Sequence, residues 1–182
     1  MLQIRIDGRE FFDETTNTFR EVKPITLVLE HSLLSISKWE SKWHKPFFVG
    51  NAKDQRSSIE MEDYIRCMTL NKNVPDEVYK MLSPADISKI TNYVNDPMTA
   101  TTVNTYGRNS INREVITSEL IYYWMVSFNI PFECEKWHIN RLLTLIKVCN
   151  AKNNPKKMSK GDIYSHNREL NRARRKALGT KG

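Results

Sequence analysis

One uncharged stretch limits what this chain can fold into more than any other part of it. Residues 116–149 read ITSELIYYWMVSFNIPFECEKWHINRLLTLIKVC, and no residue between Glu119 and Glu133 is charged. The apolar run is too short to cross a bilayer and favours a helix that is buried nearly all round. We expect Pro131 to end that helix, because an interior proline removes a hydrogen-bond donor and clashes with the preceding turn.

A second helical pattern follows Pro131 along the chain. Apolar side chains recur there at positions i, i+3, i+4, i+7 and i+10, which form one helix face: Ile139, Leu142, Leu143, Ile146 and Cys149. The two helices together predict a central αα-hairpin, the densest apolar part of the chain, around which the rest packs. This pattern indicates a hydrophobic core and carries no information about function.

The first thirty residues have a different period from the rest. Residues 1–30 alternate apolar and polar side chains and contain turn signals such as Asp7-Gly8, which predicts three or four short strands. From residue 31 the spacing becomes helical, with Ser32 and Ser83 as helix caps. We therefore predict an α+β fold, mainly helical: a small N-terminal antiparallel β-meander, then about six helices including the central αα-hairpin and a basic C-terminal helix.

Two segments lack a helical period. Residues 98–112 are rich in Thr and Ser and are predicted to form a loop or an edge strand. Asn153-Asn154-Pro155 predicts a break in the chain, and Ser159 is placed to cap a last helix from Lys160 to Leu178 that closes at Gly179.

Charge divides the chain near residue 150. Residues 151–182 contain ten Lys or Arg and two acidic residues, a net charge of +8, whereas residues 1–150 sum to −1. A length of 182 residues favours one domain. We expect residues 1–150 to form it, with the β-meander in 1–30 and helices in 31–150, and residues 151–182 to form a basic tail or helix.

The cysteines and the N-terminus bear on the compartment. Three cysteines cannot build a disulfide framework without leaving one unpaired, which favours a reducing cytoplasm. The first ten residues lack the apolar core of a secretory signal, and no segment is long enough to cross a membrane.

The sequence contains no recognised catalytic motif. Neither GxxxxGK[ST] nor GxGxxG occurs, so a nucleotide cofactor is not expected. Four histidines are candidate general bases: His31, His44, His138 and His166. No nucleophile elbow and no paired carboxylates accompany them, so we do not expect an enzyme.

One pair of residues has the spacing of metal ligands. Cys134 and His138 are four residues apart on the predicted second hairpin helix, and Cys67 and Cys149 are the other thiols. Structural zinc requires four ligands, and no CxxC motif is present. The alternative is that the thiols are small core residues, and we expect no metal site.

Two regions are candidates for contact with a partner. Trp39 and Trp43 share one helix face and are either interface anchors or core residues. The C-terminal tail carries a dense basic cluster: Arg168, Arg172, Arg174, Arg175 and Lys176. Such a cluster is either a solvated terminus, a docking site for an acidic protein or a contact to nucleic acid.

Five segments together carry a resemblance to a known family. They are LEHSLLSISKWESKWHKPF (29–47), MEDYIRCMTL (61–70), DPMTATT (96–102), ITSELIYYWMVSFNIPFECEKWHINRLLTLIKVCN (116–150) and HNRELNRARRKALGTKG (166–182). The chain resembles, over nearly its whole length, tailed-bacteriophage proteins that are encoded among the tail genes and labelled tail assembly chaperones. No catalytic motif contributes to the resemblance.

The resemblance implies a non-catalytic role in the host cytoplasm during phage assembly. Such chaperones bind the long tape-measure protein while the tail tube polymerises around it, and they then leave. Some are made in two lengths by ribosomal frameshifting, and this chain would be the shorter form. A helical surface with aromatic anchors suits an extended amphipathic helix, and a basic tail suits an acidic partner.

Two other functions fit the same sequence. One is a structural virion protein in the tail or at the head–tail connection, where copies assemble as a homo-oligomer and the tail faces packaged DNA or a neighbouring subunit. The other is a DNA-binding accessory protein.

Overall fold

A computed structural model describes residues 1–13, 17–48, 56–102, 115–153 and 160–180. Its strands are β1 Leu2–Ile6, β2 Arg9–Asp13, β3 Thr18–Val22 and β4 Ile25–Leu29. Its α-helices are α1 Leu33–Trp43, α2 Ser58–Met68, α3 Asp76–Lys80, α4 Pro84–Asn95, α5 Ser118–Ser127, α6 Ile139–Asn153 and α7 Lys160–Leu178, and a 3-10 helix spans Phe132–Lys136. The predicted α+β, mainly helical fold class is confirmed.

Some predictions fall outside the described residues. The predicted loop or edge strand at residues 98–112 is described only up to residue 102. The predicted break at Pro155 and the predicted cap at Ser159 lie wholly outside. Among the described helices, none is long and apolar enough to cross a membrane.

The four strands pair in a nested order. β1 pairs with β4, with Ile4 opposite Leu27, and β2 pairs with β3, with Phe12 opposite Phe19. All pairs are antiparallel. The predicted meander is therefore wrong in its pairing, because each strand of a meander pairs with the next strand in sequence, whereas here the first strand pairs with the last.

Gly8 and Pro24 mark an interruption between the two ladders, which otherwise form one hairpin. Proline has no N–H to donate, so it cannot continue a ladder of backbone hydrogen bonds. A Cβ atom on Gly8 would lie 2.7 Å from the backbone oxygen of Val22 and 2.8 Å from Cδ of Pro24. Asp7-Gly8 thus provides a close contact between two strands of one long hairpin and does not form the predicted turn.

Three helix starts are fixed by reciprocal serine caps. In each capping box the serine accepts from the backbone N–H three residues on, and that residue's side chain accepts from the serine N–H: Ser32 with Ser35 at α1, Ser57 with Glu60 at α2, and Ser83 with Asp86 at α4. The predicted caps at Ser32 and Ser83 are confirmed. These helix starts therefore follow from local sequence.

Helix α1 is the hub of the described core. It buries Leu33, Ile36 and Trp39, and both α2 and α5 pack against it, as does the 3-10 helix. The two helices predicted on either side of Pro131 are present as α5, of 10 residues, and α6, of 15 residues, and the 3-10 helix joins them. The core is organised around α1, however, and not around this pair as predicted.

Helix α5 is also less buried than its sequence predicts. It buries one face, consisting of Ser118, Ile121 and Met125, whereas Tyr123 and Val126 are exposed. The prediction of burial nearly all round is wrong, because a sequence that is apolar at every position does not indicate which face meets the core.

The buried carboxylate of Glu40 joins α1 to α5. One oxygen accepts from the backbone N–H of Phe47 at 2.6 Å, and the other accepts from the N–H of Ser118 at 2.7 Å. A bridge between Phe48 and Ile116 lies in the same place. Ser118 begins α5, where backbone N–H groups lack partners inside the helix and the helix dipole favours negative charge. Glu40 thus accepts hydrogen bonds from two backbone N–H groups that belong to segments distant in sequence and that those segments do not pair themselves.

The chain divides into two compact units, Met1–Val148 and Cys149–Gly182. The sequence placed this boundary at residue 150. In the second unit, α7 has the predicted bounds and ends at Gly179, whose φ of +65° suits glycine after a helix.

We predict that Glu40→Gln lowers the free energy of unfolding by about 2–4 kcal/mol, because an amide presents an NH₂ group to one of two buried N–H donors. Urea titration of the full chain measures the change. Glu62→Gln is the matched control, since Glu62 forms a half-exposed i, i+4 pair with Arg66 and should cost no more than about 0.5 kcal/mol. Equal costs for the two variants would contradict the role assigned to Glu40.

Candidate functional site

The predicted tryptophan anchor separates into one core residue and one partly covered residue. Trp39 is only 1% exposed, and its Nε1 donates to the backbone oxygen of Glu60 at 3.0 Å. Trp43 is half-buried, with its Nε1 donating to Asp63 at 2.8 Å, and the two rings stack with centroids 6.3 Å apart. The hypothesis that Trp39 anchors a partner is therefore wrong, because α2 already covers the ring.

Ion pairs continue this contact between α1 and α2. Lys42 pairs with Asp63, and Lys45 lies 2.5 Å from a carboxylate oxygen of Glu60. The hydrogen bond from Lys45, with one from the backbone of Ser57, holds the pKa of Glu60 below its ordinary value. Both carboxylates are buried and hydrogen-bonded, so this corner stabilises the fold.

We predict that Trp39→Ala lowers the free energy of unfolding by about 3–5 kcal/mol, because it leaves a large cavity and removes the hydrogen bond to the backbone oxygen of Glu60. Trp43→Ala should cost about 1–2 kcal/mol, since its ring is already partly exposed. Chemical denaturation of the two variants under the same conditions gives the comparison. A smaller cost for Trp39 than for Trp43 would place the core elsewhere.

A cluster of aromatic and polar side chains lies inside the body. His31 is 2% exposed, and its Nδ1 is hydrogen-bonded to the hydroxyl of Tyr64. The ring of His138 lies edge-on to that of His31, with centroids 5.0 Å apart, and its Nε2–H donates to the backbone oxygen of Tyr93 at 2.9 Å. The structure thus brings together two of the four histidines that the sequence offers as candidate bases.

The electrostatics of this cluster favour neutral, inert groups. Burial, with smaller contributions from His138 and Arg56, lowers the pKa of His31 to about 3. Burial also raises the pKa of the Tyr64 hydroxyl and of the nearby Cys67 thiol. General bases work with a pKa near the working pH, and nucleophilic thiols need a lowered one. The cluster therefore has the properties of a packed polar core.

We predict that stability falls as the pH drops below about 6.5, because the unfolded chain protonates His31 whereas the folded chain does not until pH about 3. Each such histidine contributes a slope of about 1.4 kcal/mol per pH unit in that window. Burial lowers the pKa of His138 too, so its slope has the same sign.

Urea titrations between pH 6.5 and pH 5 test this prediction above the range of most carboxylates. His31→Gln keeps a hydrogen-bonding group beside Tyr64 and should flatten the slope by one histidine. His44→Asn is the control, since His44 is exposed and has the positive φ that Asn tolerates. If the dependence of stability on pH is unchanged in His31→Gln, the folded chain does not hold His31 as a buried neutral imidazole.

The candidate metal ligands do not converge. Cys134 belongs to the 3-10 helix and α6 begins only at Ile139, so Cys134 and His138 do not share one helix as predicted. The Nε2 of His138 is occupied by Tyr93, and its Nδ1 accepts from Asn140 at 3.3 Å. In the described part of the chain, no three His, Cys, Asp or Glu residues are arranged to hold a metal ion.

An exposed apolar surface on α5 is the feature that the sequence did not reveal. We call it the α5 face, and it consists of Tyr122, Tyr123, Val126 and Phe132. Tyr123, Val126 and Phe132 are 65%, 59% and 56% exposed. Tyr122 connects them to the 3-10 helix, since its ring centroid lies 6.4 Å from that of Phe132. Two adjacent tyrosines in the uncharged run were the available signal, because tyrosine tolerates a wet surface.

Helix α7 presents the predicted basic cluster to solvent. Five basic side chains are exposed: Arg168, Arg172, Arg174, Arg175 and Lys176. Every other described side chain of α7 is also exposed apart from His166, which is half-buried. Candidate contacts are therefore available on two surfaces, one apolar and one basic.

Comparison with known proteins leaves the family open. No family model, no curated protein and no solved structure matches this chain. The geometry and electrostatics above therefore carry the functional argument together with the sequence resemblance.

Proposed function

We propose that the protein is a non-catalytic tail morphogenesis protein of a bacteriophage, a tail assembly chaperone that binds the tape-measure protein during tail tube assembly. The observation that carries the proposal is α7, a 19-residue basic helix with exposed side chains. A polar helix of this length is marginal in water by itself, so a partner that it binds would stabilise it.

The arrangement of charge on α7 favours a protein partner with acidic helices. Arg168, Arg172 and Arg175 stand at i, i+4 and i+7 and share one face. Such a row pairs with carboxylates along a second helix and steers the encounter electrostatically. An extended tape-measure protein in the host cytoplasm would be held along this row until the tube encloses it.

The interior of the body supports a role outside catalysis. In the interior, His31 and Tyr64 are hydrogen-bonded to each other, and Trp39 and His138 donate to backbone oxygens. Their pKa shifts favour neutral forms, as shown for His31 and Tyr64. Side chains with these properties stabilise the body, which then presents binding surfaces to a partner.

One observation favours a second candidate, a structural virion protein. Phe12 and Phe19 on the β2–β3 hairpin are both exposed, and their rings pair with centroids 5.0 Å apart. Of the described strands, β2 and β3 pair only with each other. A hairpin with open edges and an aromatic tip suits contact with a neighbouring subunit in a ring.

We predict that the full chain captures the tape-measure protein on co-expression and that Arg168→Gln/Arg172→Gln/Arg175→Gln reduces capture at least ~10-fold, because the charge row is lost. The control removes three exposed basic charges from the body, as Arg5→Gln/Lys72→Gln/Lys80→Gln. Added salt should weaken the wild-type capture by screening.

Mass spectrometry of purified particles separates the candidates. Absence of the chain from particles, together with capture, supports the chaperone. A stoichiometric copy number in particles would favour the virion protein instead. Salt-dependent filter binding to DNA without capture would favour the DNA-binding accessory protein.

A further inference from the structure

The α5 face is an apolar surface with an acidic border. Tyr123 and Val126 are exposed one helical turn apart, and the exposed Phe132 lies beside the half-buried ring of Tyr122. Residues 118–136 contain three Glu and one Lys, a net charge of −2. Exposed aromatic groups of this kind mark protein-binding surfaces when polar residues surround them.

The carboxylates stand close to the apolar side chains. Glu135 accepts a hydrogen bond from the Tyr122 hydroxyl at 2.9 Å, and Glu133 is exposed one residue beyond Phe132. Glu119 lies one turn before Tyr122 and Tyr123 on α5, so it borders the same face. A partner for this surface therefore needs an apolar stripe with basic residues beside it.

Helix α7 has that complementary pattern. Ile163, Leu170 and Ala177 recur every seven residues and form a narrow apolar stripe, and Ile163 and Leu170 are both exposed. Residues 160–178 contain six basic and two acidic residues, a net charge of +4. Arg174 lies beside the stripe by helical spacing, where it would reach the acidic border.

We infer that the α5 face binds helix α7 of a second copy of this chain. Both surfaces are exposed in the single chain, and each provides what the other lacks, namely apolar area and opposite charge. If both copies exchange α7, the contact is made twice and closes a dimer around a two-fold axis. The inference concerns self-recognition and does not depend on the identity of the assembly partner.

Sedimentation equilibrium of the purified full chain tests the inference without any phage partner. We expect a concentration-dependent dimer that added salt weakens, because the contact is partly electrostatic. Val126→Glu on the α5 face and Leu170→Glu on α7 should each raise the dissociation constant at least ~10-fold, because each introduces a carboxylate into the apolar contact.

Two control variants add the same charge elsewhere. Ile59→Glu changes an exposed apolar residue of α2, and Ser165→Glu changes the side of α7 away from the stripe. Both should dimerise as the wild type does. Urea titration of every variant confirms that the body remains folded.

A mixing experiment identifies the two surfaces as partners. The Val126→Glu chain keeps an intact α7, and the Leu170→Glu chain keeps an intact α5 face. Each alone should be monomeric, whereas their mixture should form a 1:1 heterodimer with one intact contact.

A wild-type chain that stays monomeric up to concentrations on the order of 100 μM would overturn the inference. So would a Val126→Glu chain that dimerises normally, or no association in the mixture. If the wild-type chain is monomeric and Leu170→Glu increases amide exchange at Tyr123, the two surfaces meet within a single chain, which also overturns the inference. Capture of the tape-measure protein is measured separately, so failure of one proposal leaves the other standing.

Discussion

The Glu40 carboxylate is the interaction on which the described body depends. It accepts from Phe47 at the exit of α1 and from Ser118 at the start of α5, which is 78 residues after Glu40. The carboxylate offers one oxygen to each donor, and its negative charge is favoured at the positive end of a helix dipole. Replacement by an apolar residue would leave two buried N–H groups without partners.

The same principle recurs through the interior. Trp39 donates to the backbone of α2, Tyr64 bonds His31, and His138 bonds the backbone of Tyr93. Arg56 lies over the ring of Phe47, with its guanidinium carbon 3.9 Å from the centroid. Hydrogen bonds of fixed direction specify one arrangement of these rings where apolar packing alone would allow several. The surfaces proposed for recognition, the α5 face and α7, lie outside this network.

Local features of this fold were predictable and long-range ones were not. The period-two alternation located β1, and Ser32 with Ser83 located two helix starts, because strands and caps depend on neighbours in sequence. The pairing of β1 with β4 and the close approach of Gly8 to Val22 and Pro24 are long-range contacts that no local pattern encodes. Of the candidate site, the sequence identified the basic cluster of α7. It did not identify the burial of Trp39, which depends on α2. It also did not identify the α5 face, which depends on which side of α5 meets α1.

The interruption at Gly8 and Pro24 divides the N-terminal hairpin into two mechanical parts. The β1–β4 ladder belongs to the core through Ile4, Leu27 and Leu29, which are buried. The β2–β3 ladder continues the hairpin beyond the interruption, and Phe12 and Phe19 there are exposed. Among the described side chains of the outer ladder only Val22 is buried, so its local free energy of opening lies below that of the whole body. The tip of the hairpin can therefore be remodelled by a neighbour while the base keeps its register.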